Sequence, residues 1–176
     1  SANINDAAMK EACDLIRAGE LVAFPTETVY GLGADALHPE ASKKIYAAKG
    51  RPSDNPLILH IADMSALRDI AEDIPEAAVD LAEAFWPGPL TLVLKKRRNV
   101  SSVVSGGLDT VAVRMPDNDL ARRLIRALGH PLAGPSANLS GHPSPTLAAH
   151  VEHDFGDHIA GVVDGGPCRV GVESTI

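Results

Sequence analysis

At 176 residues, 45 % of them apolar, the chain is long enough for one domain with a substantial core; with only 3 % aromatic residues, that core must be built mainly from Ala, Val, Leu and Ile. Its 16 Lys and Arg against 23 Asp and Glu give a formal charge of −7, which argues against a broad polyanion-binding surface and leaves room for a local basic pocket. Cys13 and Cys168 form no CxxC pair, no apolar run approaches membrane-spanning length and no charged-then-apolar leader is present, so the chain reads as cytoplasmic, with reduced thiols.

In chain order, Asn5 to Ala18 predicts an amphipathic helix: Ala8, Ala12, Leu15 and Ile16 recur at helical spacing and Gly19 stops it. Leu21-Val-Ala-Phe24 reads as a short strand. Pro39 suits the start of a helix that runs to about Ala48. Leu57-Ile-Leu-His-Ile61 is a near-continuous apolar run, the mark of a strand buried on both faces. One helix opens at Ser65 and another spans Pro75 to Phe85; strands follow at Leu90 to Leu94 and Thr110 to Arg114. Asn118 to Leu128 is a helix ended by Gly129, Pro131-Leu-Ala133 a brief strand, Pro145 to about His153 a helix and Gly161-Val-Val163 a late strand. The polar stretch from Arg97 to Asp109 reads as a mobile surface loop near a site. This alternation, with no linker or repeat, predicts a single α/β domain over residues 1–176 with a mixed sheet covered by helices.

Several short stretches carry chemistry. Lys49 and Arg51 present two cations to one spot if the chain straightens between them; taken alone the pair reads as solvated surface charge. Thr26, Thr28 and Tyr30, if extended, line one face with hydroxyls, which fits a site wall and an exposed sheet edge equally well. Gly31-x-Gly33 is too short for a dinucleotide fingerprint and reads as a tight turn. Arg114 ends an alternating strand and suits either a surface salt bridge or a grip on carboxylate or phosphate. Gly134-Pro-Ser136-Ala-Asn138-Leu-Ser140-Gly is a donor-rich loop of the kind that faces phosphates and ribose, while Ser144 before Pro145 suits a helix N-cap equally well. His60, inside an apolar strand, is a core residue or a site donor. The histidines around Asp154 read as a solvated helix face, and no metal framework is present. No nucleophile–base arrangement stands out, which suits nucleotidyl transfer, where positioning and charge stabilisation dominate.

Six blocks taken together resemble the threonylcarbamoyl-AMP synthase (YrdC-like) family: Pro25-Thr-Glu-Thr-Val-Tyr-Gly-Leu-Gly33, Lys49-Gly-Arg51-Pro with Asn55-Pro-Leu57, Trp86-Pro-Gly-Pro-Leu-Thr91, Val113-Arg-Met-Pro116, Gly134-Pro-Ser-Ala-Asn-Leu-Ser-Gly141 and Glu173-Ser-Thr-Ile176. They occur in family order and cover nearly the whole chain. The resemblance implies a twisted open mixed β-sheet flanked by helices, with a concave ligand site. It also implies a synthase that joins L-threonine, bicarbonate and ATP into L-threonylcarbamoyladenylate with release of pyrophosphate. A separate transferase would then modify tRNA, with no direct tRNA binding by this chain and no membrane partner.

Carried over by position, the resemblance assigns Lys49 and Arg51 to the phosphates and to catalysis. Asn55, Thr110, Ser136, Asn138 and Ser144 join them at the nucleotide. Thr28, His60, Arg114, Gly134 and Ser174 fall at the threonine, with Arg114 on its carboxylate. Mg²⁺ is expected with the ATP phosphates, held by no nameable protein carboxylate. Chains of this family normally continue past the Glu173-Ser-Thr-Ile176 element, so the resemblance implies truncation at the C-terminus. Alternatives are the carbamoyl-adenylate-handling domain of a carbamoyltransferase, whose CxxC zinc motifs are absent here, and an RNA-binding module, disfavoured by the charge and the few aromatics.

Overall fold

A computed structural model describes residues 5–176. Seven strands, β1 (Val22–Phe24), β2 (Gly31–Asp35), β3 (Ile58–His60), β4 (Leu92–Lys95), β5 (Thr110–Arg114), β6 (Leu132–Ala133) and β7 (Gly161–Val162), form one sheet in the order β4-β5-β3-β6-β2-β1-β7. The pairs β3–β5 and β1–β7 are parallel and the other four antiparallel, so the sheet is open and mixed, as expected. The helices are α1 (Asp6–Arg17), α2 (Pro39–Lys49), α3 (Met64–Ile70), α4 (Glu76–Phe85), α5 (Ser102–Ser105), α6 (Asp119–Leu128) and α7 (Ala148–Phe155). Local chemistry sets several helix ends. Asn5 Oδ1 accepts the Ala8 N–H at 2.8 Å and Asn118 Oδ1 that of Ala121 at 3.0 Å, while Gly50 and Gly129 end α2 and α6 at φ 63° and 87°.

The two faces of the sheet are covered unequally, and that asymmetry makes the site. Leu57, Leu59, Ile61, Leu92, Leu94, Val111 and Val113 join the larger core together with Ile45, Val104, Val151 and Phe155 from the helices on that side. The opposite face is covered by α1 and α6, whose Met9, Ile16, Leu124, Ile125 and Leu128 pack with Val22, Phe24 and Leu132. Side chains alternate along a strand, and partners in register share a face. His60 lies opposite Leu132 on one side and Arg114 on the other, and Ile58 lies opposite Ala112, which lies opposite Val93. The same face therefore runs out from under the helices at β3, β5 and β4, where Ile58, His60, Ala112, Arg114 and Val93 line a cavity.

The stretch 57–61 is buried on both faces as expected, except at Ile58, which is half-buried where that face lines the cavity. Gly31 and Gly33 are not a tight turn. Both lie within β2, where a Cβ on Gly31 would stand 2.6 Å from Phe24 Cζ and one on Gly33 would stand 2.7 Å from the Val22 carbonyl oxygen. The stretch from Arg97 to Asp109 is no free loop either. It contains α5, buries Val100 and Val104, and accepts the Leu57 N–H on the Val104 carbonyl at 2.9 Å. The last long helix starts at Ala148 with Leu147 at its N-cap position, which removes the capping role for Ser144. Cys13 and Cys168 are free thiols, and among the described residues no helix is long and apolar enough to cross a membrane.

Gly31→Ala must push the fully buried Phe24 ring aside, at a cost of about 1–3 kcal/mol, seen as a lower urea midpoint. Gly161→Ala, whose Cβ meets nothing within 4 Å, should stay within about 0.5 kcal/mol of the parent. Equal midpoints for the two variants would contradict the ring-against-glycine packing.

Candidate active site

The cavity holds about 370 Å³, within the range of small-molecule sites. Its floor is apolar, from Ile58, Ala112 and Val93. Its walls are the turn from Thr26 to Gly31, the segment Arg51 to Pro56, the loop Gly134-Pro-Ser136, and Glu173, Ser174 and Ile176 from the C-terminal segment.

One end is organised around Arg114, the last residue of β5. Its guanidinium is buried and meets three acceptors: Nε donates to the Gly88 carbonyl at 3.2 Å, Nη1 to Thr28 Oγ at 3.0 Å and Nη2 to Glu27 Oε1. Five N–H groups are present on a guanidinium, so among the described residues one N–H on each Nη has no protein acceptor. Burial lowers the Arg114 pKa to about 10, which leaves it cationic at neutral pH. The block Trp86 to Thr91 braces this end. Trp86 Nε1 donates to the Leu90 carbonyl at 2.7 Å, the Gly88 N–H to the Met115 carbonyl at 2.9 Å, and the Thr91 and Ser174 hydroxyls lie 2.7 Å apart.

The threonine turn is bent by its own hydroxyls. Thr26 Oγ accepts the N–H groups of Thr28 and Val29 at 3.1 and 3.2 Å and donates to the Val29 carbonyl at 2.6 Å. With the Thr26 proton committed, Thr28 must be the donor in the 2.9 Å contact between the two hydroxyls. Thr28 Oγ is thus an oriented acceptor for Arg114. Tyr30 departs from the expected row: its hydroxyl donates to the Gly166 carbonyl at 2.8 Å, and burial raises its pKa to about 12.

His60 sits beside this end, its ring edge-to-face with Phe24 at 5.2 Å. Burial pulls its pKa down to about 4, so the imidazole is neutral at physiological pH. Its Nδ1 is buried and, among the described residues, has no hydrogen-bond partner. A Cβ on Gly134 would stand 2.8 Å from the Phe24 ring and 3.5 Å from His60 Cε1, so only glycine fits there without displacement.

At the other end, Arg51 Nη2 donates to the Pro56 carbonyl at 2.7 Å, with Asn55 and Ser136 nearby on the wall. Lys49 does not share this spot, which corrects the idea of two cations aimed together. Gly50 takes the left-handed conformation and turns the chain, so Lys49 runs beneath the 134–138 loop. There Nζ donates to the carbonyls of Ser136 and of Asn138, the latter at 2.8 Å. Burial and, secondarily, the Arg51 charge lower the Lys49 pKa to about 8. Asn138 in turn donates from Nδ2 to the Leu139 and His142 carbonyls at 2.8 and 2.9 Å.

The fold therefore gathers Thr28, Arg51, Asn55, His60, Arg114, Gly134, Ser136 and Ser174 onto one cavity. Four expected site residues lie off its wall. Lys49 and Asn138 shape the loop behind it. Thr110 sits opposite Lys95 at the far end of β5, and Ser144 donates to Glu173, which does line the cavity. Arg114 is in a buried pair with Glu27, not the surface salt bridge considered from sequence. Sequence reasoning missed Glu27, because strict alternation sends its side chain away from Thr26 and Thr28. The available signal was a carboxylate inside a block that also supplies the threonines.

Among the described residues no group of three or more His, Cys, Asp or Glu side chains converges as a metal site, including the cluster around Asp154. Asp154 instead accepts the Leu139 N–H at 3.1 Å and faces His142. Two cationic ends across an apolar floor suit a ligand with two separated anionic groups, held for a reaction in which placement and charge stabilisation dominate.

Residues 14–176 match the Sua5_yciO_yrdC family model, described as telomere recombination. The chain is 60 % identical over 173 residues to a threonylcarbamoyl-AMP synthase of Bacillus subtilis, across 98 % of this chain and 50 % of that protein. It is 59 % identical over 165 residues to one of Pyrococcus abyssi, across 94 % of this chain and 48 % of that protein. It thus spans about half the length of these two curated relatives. Among solved structures, that of P. abyssi Sua5 complexed with L-threonine matches with a TM-score of 0.97 and 57 % identity, over 99 % of this chain and 51 % of that one.

His60 gives the fold a pH dependence. The folded chain keeps the ring neutral down to about pH 4, whereas the unfolded chain protonates it below about 6.5. Between those values the unfolded state binds more protons, so stability present above 6.5 is lost as the pH falls toward 4, by on the order of 3 kcal/mol. Urea midpoints at pH 7 and pH 4.5 should show a larger drop for the parent than for His60→Leu. Equal drops would contradict a buried neutral imidazole.

Proposed function

The chain belongs to the Sua5/YciO/YrdC family, and we propose that it is the catalytic part of an L-threonylcarbamoyladenylate synthase acting on L-threonine, bicarbonate and ATP. The observation that carries this reading is the two-ended cavity: a buried arginine with N–H groups to spare at one end, and Arg51, Asn55 and Ser136 at the other. The names of the B. subtilis and P. abyssi relatives support it, as does the L-threonine in the P. abyssi structure.

In this reading the threonine carboxylate takes the remaining Arg114 N–H groups, a charge-assisted pairing that fixes orientation. Ser174 and His60 Nδ1, which has no hydrogen-bond partner among the described residues, stand beside it for the polar groups of the amino acid. The threonine amine and bicarbonate give a carbamate with loss of water. A carbamate oxygen then attacks the α-phosphorus, the bond from that phosphorus to the bridging oxygen breaks, and pyrophosphate leaves. Arg51 stabilises charge building on the phosphates, aided by Asn55 and Ser136. Lys49 serves this end from behind, by holding the Ser136 and Asn138 carbonyls so that their loop keeps its shape. Thr110, Asn138 and Ser144 support the nucleotide end from outside the wall. Mg²⁺ would arrive with ATP, coordinated by phosphate and water. The adenylate would pass to a separate transferase acting on tRNA in the cytoplasm, with no direct tRNA binding by this acidic chain.

Pyrophosphate release from ATP should require both L-threonine and bicarbonate. Arg51→Ala should lower kcat/KM for ATP by about 100-fold. The same change should cost only about 1 kcal/mol of stability, the worth of its bond to the Pro56 carbonyl. Release driven by carbamoyl phosphate in place of threonine would point to carbamoyl-adenylate chemistry instead. A loss of folding that matches the loss of activity would make Arg51 structural.

A further inference from the structure

Glu27 is a buried carboxylate with both oxygens engaged. Oε1 takes Arg114 Nη2, and Oε2 accepts the Asp117 N–H at 2.7 Å. Its backbone carbonyl accepts the Val170 N–H at 2.8 Å, and the Thr28 carbonyl accepts that of Gly171 at 2.9 Å. Asp117 also reaches Arg169 at 2.8 Å. One residue thus joins the threonine turn, the end of β5 and the C-terminal segment that supplies Glu173 and Ser174 to the cavity.

A buried guanidinium without an anion is costly, and an arginine held by one neutral contact can swing toward water. Here three acceptors of different kinds leave the guanidinium a single orientation: a carbonyl at Nε, a hydroxyl at Nη1 and a carboxylate at Nη2. Only the carboxylate carries charge. We propose that Glu27 is the positioning residue of the amino-acid end: it fixes the Arg114 guanidinium and compensates its charge before ligand arrives, so that the two remaining N–H groups are presented to a ligand carboxylate. The proposal rests on the functional reading above for the identity of that carboxylate as L-threonine's, and on the contacts alone for the placement of Arg114. Glu27 touches no ligand in this scheme and acts through Arg114.

The test compares the parent with Glu27→Gln, which keeps the shape and removes the charge. KM for L-threonine should rise by 10-fold or more, with KM for ATP within about threefold, because only one end of the cavity is loosened. Nitrogen NMR of the Arg114 side chain should show restricted Nη rotation in the parent and faster rotation in Glu27→Gln, with no ligand present. Should Glu27→Gln fail to fold, the double change Glu27→Gln with Arg114→Gln removes both charges; it should fold and bind ATP without L-threonine. Equal increases in both KM values, unchanged Arg114 rotation, or a double variant that stays unfolded would overturn the assignment. If the parent binds no L-threonine, the functional reading fails and the NMR comparison alone decides the role of Glu27.

Discussion

A cation buried at the end of β5 is the constraint from which much of the site follows. Arg114 lies on the sheet face that α1 and α6 leave open, yet it is almost fully withdrawn from water. Such a charge is tolerated only when it is paired and its donors are met. The chain meets three of the five donors with segments far apart in sequence, Glu27 and Thr28 after β1 and Gly88 between α4 and β4, and among the described residues leaves one N–H on each Nη for a ligand. The bend imposed by Thr26 and the carbonyl presented at position 88 both gain a reason from this one side chain, while the glycine at 88 is required by the Phe85 carbonyl, 2.2 Å from where a Cβ would stand. The same withdrawal from water keeps His60 neutral one strand away.

The Arg51 end of the cavity, proposed for the nucleotide, rests on a different device. Lys49 is held by two backbone carbonyls of the 134–138 loop, while the Ser140 N–H returns to the Lys49 carbonyl at 2.9 Å. The end of α2 and this loop are thereby locked together. The Ala137 N–H also donates to the Tyr30 carbonyl and the Leu32 N–H to the Pro135 carbonyl, both at 2.8 Å, which ties the loop to β2. Arg51 and Ser136 consequently line the same cavity from anchored backbones. That suits a reaction whose acceleration comes from preorganised charge.

Much of this was legible in the sequence, for physical reasons that can be named. The alternation in Thr110-Val-Ala-Val-Arg114 gave the strand, its half-covered faces and the position of the arginine. Glycine stops and polar caps marked α1, α2 and α6 to within a residue or two. The failures share a cause. Gly31 and Gly33 look like a turn until the Phe24 ring is packed against them, and the straight Lys49-to-Arg51 segment fails because Gly50 turns left-handed. Glu27 escapes because Thr26 captures its own downstream N–H groups and breaks the expected alternation. The C-terminal segment is held by bonds such as Val170 to Glu27 and Thr175 to Pro89, which no local pattern announces. Motif order supplied what local spacing could not: that these stretches belong to one site.

In the proposed function, one cavity holds an amino acid at Arg114 and a nucleotide at Arg51. The most direct test is a crystal structure with L-threonine and a non-hydrolysable ATP analogue bound together. The expected structure has the threonine carboxylate on the Arg114 Nη atoms, with the Glu27 pair intact, and phosphate oxygens at Arg51 and Ser136. A threonine carboxylate placed away from Arg114, or a nucleotide bound outside the cavity, would contradict it.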